Sequence, residues 1–144
     1  MSAVLLIGVA IWMPGLRSRG VKAQGGTLMG SYGFTATDLS SPGVNPGESV
    51  GVITFDGAGT VGGSLTEVQR DPSPGATMPI VRTIPLNGSY SVNADGTGTM
   101  ALRNPDNSVT PLSFVITDGG LGFMFIITGG ANGNVLTAGS ARMQ

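Results

Sequence analysis

Short runs in which apolar and polar residues alternate, separated by Gly, Pro, Asp and Asn, recur from Leu28 to the end of the chain. Side chains of a strand point alternately to opposite faces, so a period of two collects every second residue on one side. In the first run Tyr32 and Phe34 share such a face. We therefore expect an all-β chain with no helix beyond the first two dozen residues.

About eight strands follow from this pattern, at residues 28–36, 50–55, 61–67, 80–92, 97–102, 108–117, 121–128 and 135–143. The fourth is expected to bend near Pro85 and Gly88, although Asn87-Gly88 could instead form a hairpin turn. The seventh is apolar on both faces, which predicts a central place in the sheet. Short strands joined in sequence favour an antiparallel up-and-down barrel, with a β-sandwich as the alternative.

Composition supports a folded domain. The 144 residues include 25 Gly and 9 Pro, a content that can signal disorder, but 40% of residues are hydrophobic and only 10% are charged. The chain has no Cys and no His, which excludes disulfides, thiol nucleophiles, imidazole bases and the usual zinc ligands. Without disulfides, a closed sheet that leaves no unpaired edge is favoured.

The first 23 residues are predicted to be a signal peptide. Eleven apolar residues at 3–13 are too few to span a membrane, and Val21-Lys22-Ala23 allows cleavage after Ala23. No basic residue precedes the apolar run, although signal peptides usually begin with a basic segment, and a start codon further upstream would explain its absence. The alternatives to a signal peptide are a buried N-terminal strand or helix and an uncleaved anchor. Residues 24–144 are then a single secreted or periplasmic barrel domain.

That domain has four Arg, no Lys and eight acids, a net charge of −4. It lacks the basic stripe that nucleic-acid binding requires, and its low charge does not suggest association with a membrane after cleavage. The motif Asp56-Gly57-Ala58-Gly59-Thr60 returns 39 residues later as Asp95-Gly96-Thr97-Gly98-Thr99. Each is expected to be a tight turn, because one carboxylate does not provide the six to eight oxygens of a calcium site. We expect no metal and no cofactor.

Three segments carry a family resemblance. They are LMGSYGFT at 28–35, ITFDGAG at 53–59 and GSYSVNADGTGT at 88–99. Together they resemble a group of small secreted bacterial proteins, mostly uncharacterised, that have an allene oxide cyclase-like barrel of the calycin type. The resemblance implies a barrel around an apolar cavity, and some members of the wider group cyclise or isomerise hydrophobic substrates. No catalytic motif of those enzymes can be placed on residues of this chain.

An aromatic and methionine set is the candidate ligand-binding surface. It comprises Tyr32, Phe34, Phe55, Tyr90, Met100, Phe114, Phe123, Met124 and Phe125, and all but Met124 are predicted to contact a small hydrophobic ligand. The alternative is that these side chains simply fill the interior, which an eight-stranded barrel permits.

Candidate catalytic groups are few. Glu67 alternates with Val61 and Leu65 and is placed on their inward face; Arg82 alternates with Ile84 and could be its partner. A carboxylate in an apolar cavity could act as a general acid or base, with the Tyr90 hydroxyl as a further donor. A register slip of one residue would instead leave Glu67 and Arg82 at the rim, in water. The acids Asp56, Asp95, Asp106 and Asp118 lie in predicted turns.

Three functions fit this sequence. The first is an exported barrel that binds a small hydrophobic ligand or acts at the cell surface, and the second is a cofactor-free cyclase or isomerase that uses Glu67. The third is a structural or adhesive module with a solid core. The interior discriminates among them: a pocket favours the first two, and Glu67 facing it is required for the second.

Overall fold

Eight antiparallel strands, joined in sequence, close into a barrel in the computed structural model, which describes residues 27–38, 47–71, 73–129 and 137–144. The strands are β1 (Met29–Asp38), β2 (Gly47–Asp56), β3 (Thr60–Gln69), β4 (Ile80–Val92), β5 (Thr97–Arg103), β6 (Val109–Thr117), β7 (Gly122–Ile127) and β8 (Thr137–Met143), and a short 3₁₀ turn, Asp118–Gly120, precedes β7. The predicted signal peptide and the segments 39–46 and 130–136 lie outside the described residues.

Closure of the sheet is made by β1 and β8. Their register runs antiparallel from Tyr32 opposite Met143 to Asp38 opposite Thr137, and every other strand pairs with its two neighbours in sequence. The predicted up-and-down barrel is thus confirmed, and the sandwich alternative is not formed. Among the described residues, no helix is long and apolar enough to span a membrane.

β4 is one continuous strand, as expected, and no hairpin forms at Asn87-Gly88. Its first half pairs only with β3, whereas pairing with β5 begins at Gly88 and continues to Val92. Pro85 therefore lies where β4 has a single neighbour, a position at which a sheet tolerates the missing N–H of proline.

The prediction that β7 is central, with both faces buried, was wrong. A closed barrel has no central strand, and its outer surface meets solvent. Phe123 and Phe125 point inward and are buried, whereas Met124 and Ile126 point outward with 58% and 44% of their surface exposed. The sequence of β7 does not distinguish its inward from its outward positions, because both faces carry large apolar side chains.

The two ends of the barrel differ. At one end the connections are tight turns at 57–59, 93–96 and 118–121, and Leu28 packs across the interior with only 1% of its surface exposed. The Tyr90 hydroxyl donates a buried hydrogen bond to the Leu28 carbonyl (2.7 Å), and the Tyr32 hydroxyl donates to the Gly120 carbonyl (2.7 Å). We call this the packed end. The opposite end, where β1, β3, β5 and β7 finish, is the open end.

Aromatic rings fill the packed end edge to face. Phe55 is the hub: its ring centroid lies 4.9 Å from that of Tyr90 and 5.5 Å from those of Tyr32 and Phe123, with interplanar angles of 82–88°. Such T-shaped pairs add to the stabilisation from burial because the positive edge of one ring meets the negative face of another. Phe114 extends the cluster toward Phe123, at 5.9 Å.

Three phenylalanines each lie opposite a glycine on the neighbouring strand. The pairs are Phe34 with Gly51, Phe114 with Gly98, and Phe125 with Gly139. In each, a Cβ on the glycine would overlap the ring. Glycine lets a barrel strand bend, and the facing ring covers the backbone that the missing side chain exposes.

Candidate functional site

A pocket of about 290 Å³ occupies the interior at the open end. It exists because four large rings, those of Tyr32, Phe55, Tyr90 and Phe114, fill the packed end, whereas mostly aliphatic side chains line the other half. Its apolar wall consists of Phe34, Ala36, Ile53, Leu65, Ile84, Leu86, Met100, Leu102, Leu112, Phe123, Phe125 and Ile127. All of these occupy the inward positions of their strands, so the period of two that forms the sheet also builds the pocket.

Polar side chains line the mouth of the pocket, close to the strand ends. They are Asp38, Ser49, Glu67, Gln69, Asn104, Thr110 and Thr137. Asn104 uses its amide nitrogen within its own turn, donating to Ser108 Oγ (2.8 Å) and Thr110 Oγ1 (3.0 Å). The site thus has an apolar interior and a polar entrance, an arrangement typical of pockets for small amphipathic molecules.

Glu67 and Arg82 lie directly opposite each other on β3 and β4 and share the inward face, as the alternation predicted. Their side chains differ in exposure. The Glu67 side chain lines the pocket with 18% of its surface exposed, whereas that of Arg82 is 57% exposed, and Glu67 Oε1 lies 4.0 Å from Arg82 Nη1. No register slip occurs, but both residues are near the rim because β3 and β4 extend to the open end. An ion pair this exposed stabilises the fold little.

Of the eight predicted ligand-binding residues, Phe34, Met100, Phe123 and Phe125 line the pocket. The other four do not line it: Tyr32, Phe55, Tyr90 and Phe114 belong to the packed end. Alternation identified inward positions but did not indicate how far along the barrel axis each one lies. The ligand-binding role of the first four stays a prediction.

The Tyr90 hydroxyl, a candidate proton donor, points away from the pocket to the Leu28 carbonyl. The Tyr32 hydroxyl likewise donates its hydrogen bond away from the pocket, to the Gly120 carbonyl, and burial raises its pKa. Both phenols therefore serve the packed end, and neither is positioned to exchange a proton with a molecule in the pocket.

Sequence reasoning missed the aliphatic half of the wall, such as Leu65, Ile84, Leu102 and Ile127. The signal was present, since each alternates with outward residues in a strand already predicted. The predicted ligand-binding set held only aromatic residues and Met100, and it therefore left these aliphatic positions out.

The carboxylates of three turn acids, Asp56, Asp95 and Asp106, accept hydrogen bonds within their own turns, as expected, whereas that of Asp118 lies 3.3 Å from Arg142 Nη2. Asp56 Oδ1 accepts hydrogen bonds from the backbone N–H groups of Ala58 (2.7 Å) and Thr60 (2.8 Å), and these bonds lower the pKa of Asp56. Asp95 accepts from the Thr97 hydroxyl (2.6 Å) and N–H (2.9 Å). Within the described parts of the chain, no group of three or more acids is arranged to hold a metal ion.

Comparison with known proteins bears on the fold alone. No family model matches the chain, and no curated protein matches it. The chain is similar to the solved structure of a redesigned beta barrel, with 16% sequence identity and a TM-score of 0.57, over 86% of this chain and 97% of that one. At this level of identity the likeness supports the barrel architecture.

Proposed function

We propose that this protein binds a small hydrophobic molecule in the pocket at the open end of the barrel. The observation that carries the proposal is the asymmetry of the interior: one half is filled with interlocking rings, whereas the other is an open pocket of about 290 Å³ with an apolar wall. Leaving an apolar wall in contact with water instead of burying it costs hydrophobic stabilisation. A retained ligand would offset that cost.

The volume limits the size of the ligand. A water molecule occupies about 30 Å³ of liquid, so about ten non-hydrogen atoms of similar size would fill the pocket. An eight-carbon alcohol has this size. At about −0.6 kcal/mol per atom, between the limits for very small and drug-sized ligands, nine atoms give about −5 kcal/mol, a Kd on the order of 0.2 mM.

The test is a titration of the full chain with 1-octanol, followed by methyl NMR. We expect saturable shifts of the methyl signals of Ile84, Leu102 and Ile127, which line the pocket, and no shift for Ile126 on the outer face. Shifts confined to outward residues, or no saturable binding up to the solubility limit, would contradict the proposal.

A matched pair of variants separates pocket binding from adhesion to the outer surface. Ile84→Trp fills part of the pocket and should weaken 1-octanol binding at least tenfold, whereas Ile126→Trp makes the same exchange on the exposed face and should leave Kd within about twofold. Equal effects of the two variants would show that the alcohol binds elsewhere.

We also propose that the barrel acts outside the cytoplasm, after removal of residues 1–23. The apolar run at 3–13 and the small residue at Ala23 support this. The N-terminus of the protein isolated from its own host tests it: a chain beginning at Gln24 is expected, and an intact Met1 would refute cleavage.

The position of Glu67 favours one second candidate, a cofactor-free cyclase or isomerase. Glu67 is a carboxylate at the edge of an apolar pocket, where it could move a proton on a bound substrate. Incubating a lipid extract of the host with the wild-type chain and with Glu67→Gln, followed by mass spectrometry and chromatography, tests this. A product that appears only with the wild type supports catalysis; unchanged extracts favour binding alone.

A further inference from the structure

The wall of the pocket has two chemically different sides. Among the described residues that line it, the aromatic ones are Phe34, Phe123 and Phe125, which come from β1 and β7. These two strands flank β8, which closes the barrel between them. The other five strands, β2 to β6, supply aliphatic side chains and Met100 to the wall, such as Leu65, Ile84, Leu86, Leu102 and Leu112. We call the three rings the aromatic side and the opposite part of the wall the aliphatic side.

Two rings of the aromatic side extend across the wall to a glycine on the neighbouring strand. Phe125 reaches Gly139 on β8 and Phe34 reaches Gly51 on β2, and a Cβ on either glycine would overlap the Cζ end of the ring. Both glycines occupy inward positions, since Gly139 alternates with Thr137 and Gly51 with Ile53, yet neither glycine lines the pocket. Ring atoms therefore form the pocket surface where these glycines leave the backbone bare.

The three rings hold one another in place. The Phe125 centroid lies 6.1 Å from that of Phe34, with an interplanar angle of 78°, and 5.9 Å from that of Phe123. Phe123 is fixed in turn by Tyr32 and Phe55 of the packed end, each at 5.5 Å. The aromatic side is thus a connected row of rings that is already ordered before a ligand enters, so binding requires little further ordering.

We infer that the pocket selects a molecule that carries an aromatic ring over a saturated molecule of the same size. This inference rests on the proposed function and specifies its ligand class. A ring held between the two sides would meet Phe34 or Phe125 edge to face or in an offset stack, and its other face would lie against aliphatic side chains such as Leu102. Aromatic pairs contribute about 2- to 12-fold in affinity beyond the burial of area, and a saturated ligand does not gain this factor.

Two ring-bearing alcohols, 2-phenylethanol and 2-cyclohexylethanol, test the inference on the full chain, with 1-octanol as the reference. All three probes have the same number of non-hydrogen atoms and one neutral hydroxyl. Because the saturated ring is more hydrophobic than the phenyl ring, burial alone predicts that 2-cyclohexylethanol binds more tightly. We expect the opposite order, with 2-phenylethanol binding at least threefold more tightly than 2-cyclohexylethanol.

A smaller preference or the reverse order would overturn the inference. If 1-octanol or 2-cyclohexylethanol binds in the pocket and 2-phenylethanol shows no such preference, the aromatic inference fails and the pocket proposal stands. If none of the three probes binds, both fail.

Variants then test the rings. Phe125→Leu should reduce the preference for 2-phenylethanol over 2-cyclohexylethanol at least twofold, and the ratio of the two Kd values cancels any general change in the pocket. Phe114→Leu is the matched control, because Phe114 also covers a glycine, Gly98, but belongs to the packed end and does not line the pocket. Phe34→Leu repeats the test at a partly buried ring, should Phe125→Leu fail to fold. A preference that persists in both pocket variants, or that falls equally in Phe114→Leu, would refute the assignment.

Discussion

Replacing Gly51 by Ala probes how closely the barrel wall and the pocket are linked. Gly51 lies on β2 opposite Phe34, whose ring forms part of the pocket wall. A Cβ at Gly51 would lie 2.7 Å from Phe34 Cε1 and 2.8 Å from Phe34 Cζ, and it would also overlap the carbonyl oxygen of Ser64. Non-bonded carbon atoms prefer separations of about 3.5–4.0 Å, so the ring must move by about 1 Å.

The stability cost of Gly51→Ala depends on whether the two groups that the new Cβ would overlap can move away. The Phe34 ring can shift into the pocket, but the Ser64 carbonyl belongs to β3, which is paired on both sides. Overpacking of this kind typically costs about 1–3 kcal/mol, and the immobile backbone places Gly51→Ala near 3 kcal/mol. For a domain of this size, that lowers Tm by about 10 °C. Because Phe34 is displaced into the pocket, binding of 1-octanol should also weaken.

The assay is urea and thermal unfolding followed by circular dichroism, with Gly62→Ala as the control. Gly62 also lies in a strand, but a Cβ there would meet only the Leu86 carbonyl oxygen at 3.7 Å, an ordinary contact. Its replacement should change stability by less than about 1 kcal/mol, with a small gain favoured by the loss of unfolded-state entropy. A Gly51→Ala variant as stable as the wild type, or no less stable than Gly62→Ala, would refute the packing described for this wall.

Two further predictions concern the packed end and the turns. Tyr90→Phe removes the hydroxyl that donates to the Leu28 carbonyl. The free energy of unfolding, measured in urea, should fall by about 1–3 kcal/mol, and 1-octanol binding should not change. Lost binding at unchanged stability would place the hydroxyl in the pocket instead. Hydrogen bonds in their own turns lower the pKa of Asp56 and Asp95 in the folded protein. The two ionised carboxylates therefore stabilise the fold fully above the unfolded pKa of about 4, and this contribution is lost as pH falls through the folded pKa. The urea midpoint should therefore be lower at pH 3 than at pH 5, with a smaller difference in Asp95→Asn; a pH-independent midpoint would contradict this.

Most of the fold was predictable from the sequence because strands and turns are determined by residues that are close together in the chain. The period of two located the strands to within three residues at either end, and Asp-Gly turns marked three of the seven connections between them. The central position predicted for β7 was wrong, because Met124 and Phe125 are both large and apolar although they lie on opposite faces. Only closure of the sheet by β1 and β8 shows that the Met124 side has no partner layer.

The site was predictable in part. Alternation placed Glu67 and Arg82 on one inward face, which the register confirms. It could not indicate that Glu67 lines the pocket while Arg82 remains in water, because the two residues lie opposite each other and differ in where their side chains extend. Nor could it separate Phe125, in the pocket wall, from Phe55, in the packed end, since both are inward-facing aromatic residues.

A crystal structure of the full chain grown with 1-octanol tests most directly whether the open half of the barrel is a ligand pocket. We expect electron density for an alkyl chain between Leu65, Met100 and Phe125, with the hydroxyl toward Glu67 at the mouth. Density only on the outer face, or an open half closed by the wall side chains so that no alkyl chain fits, would contradict it.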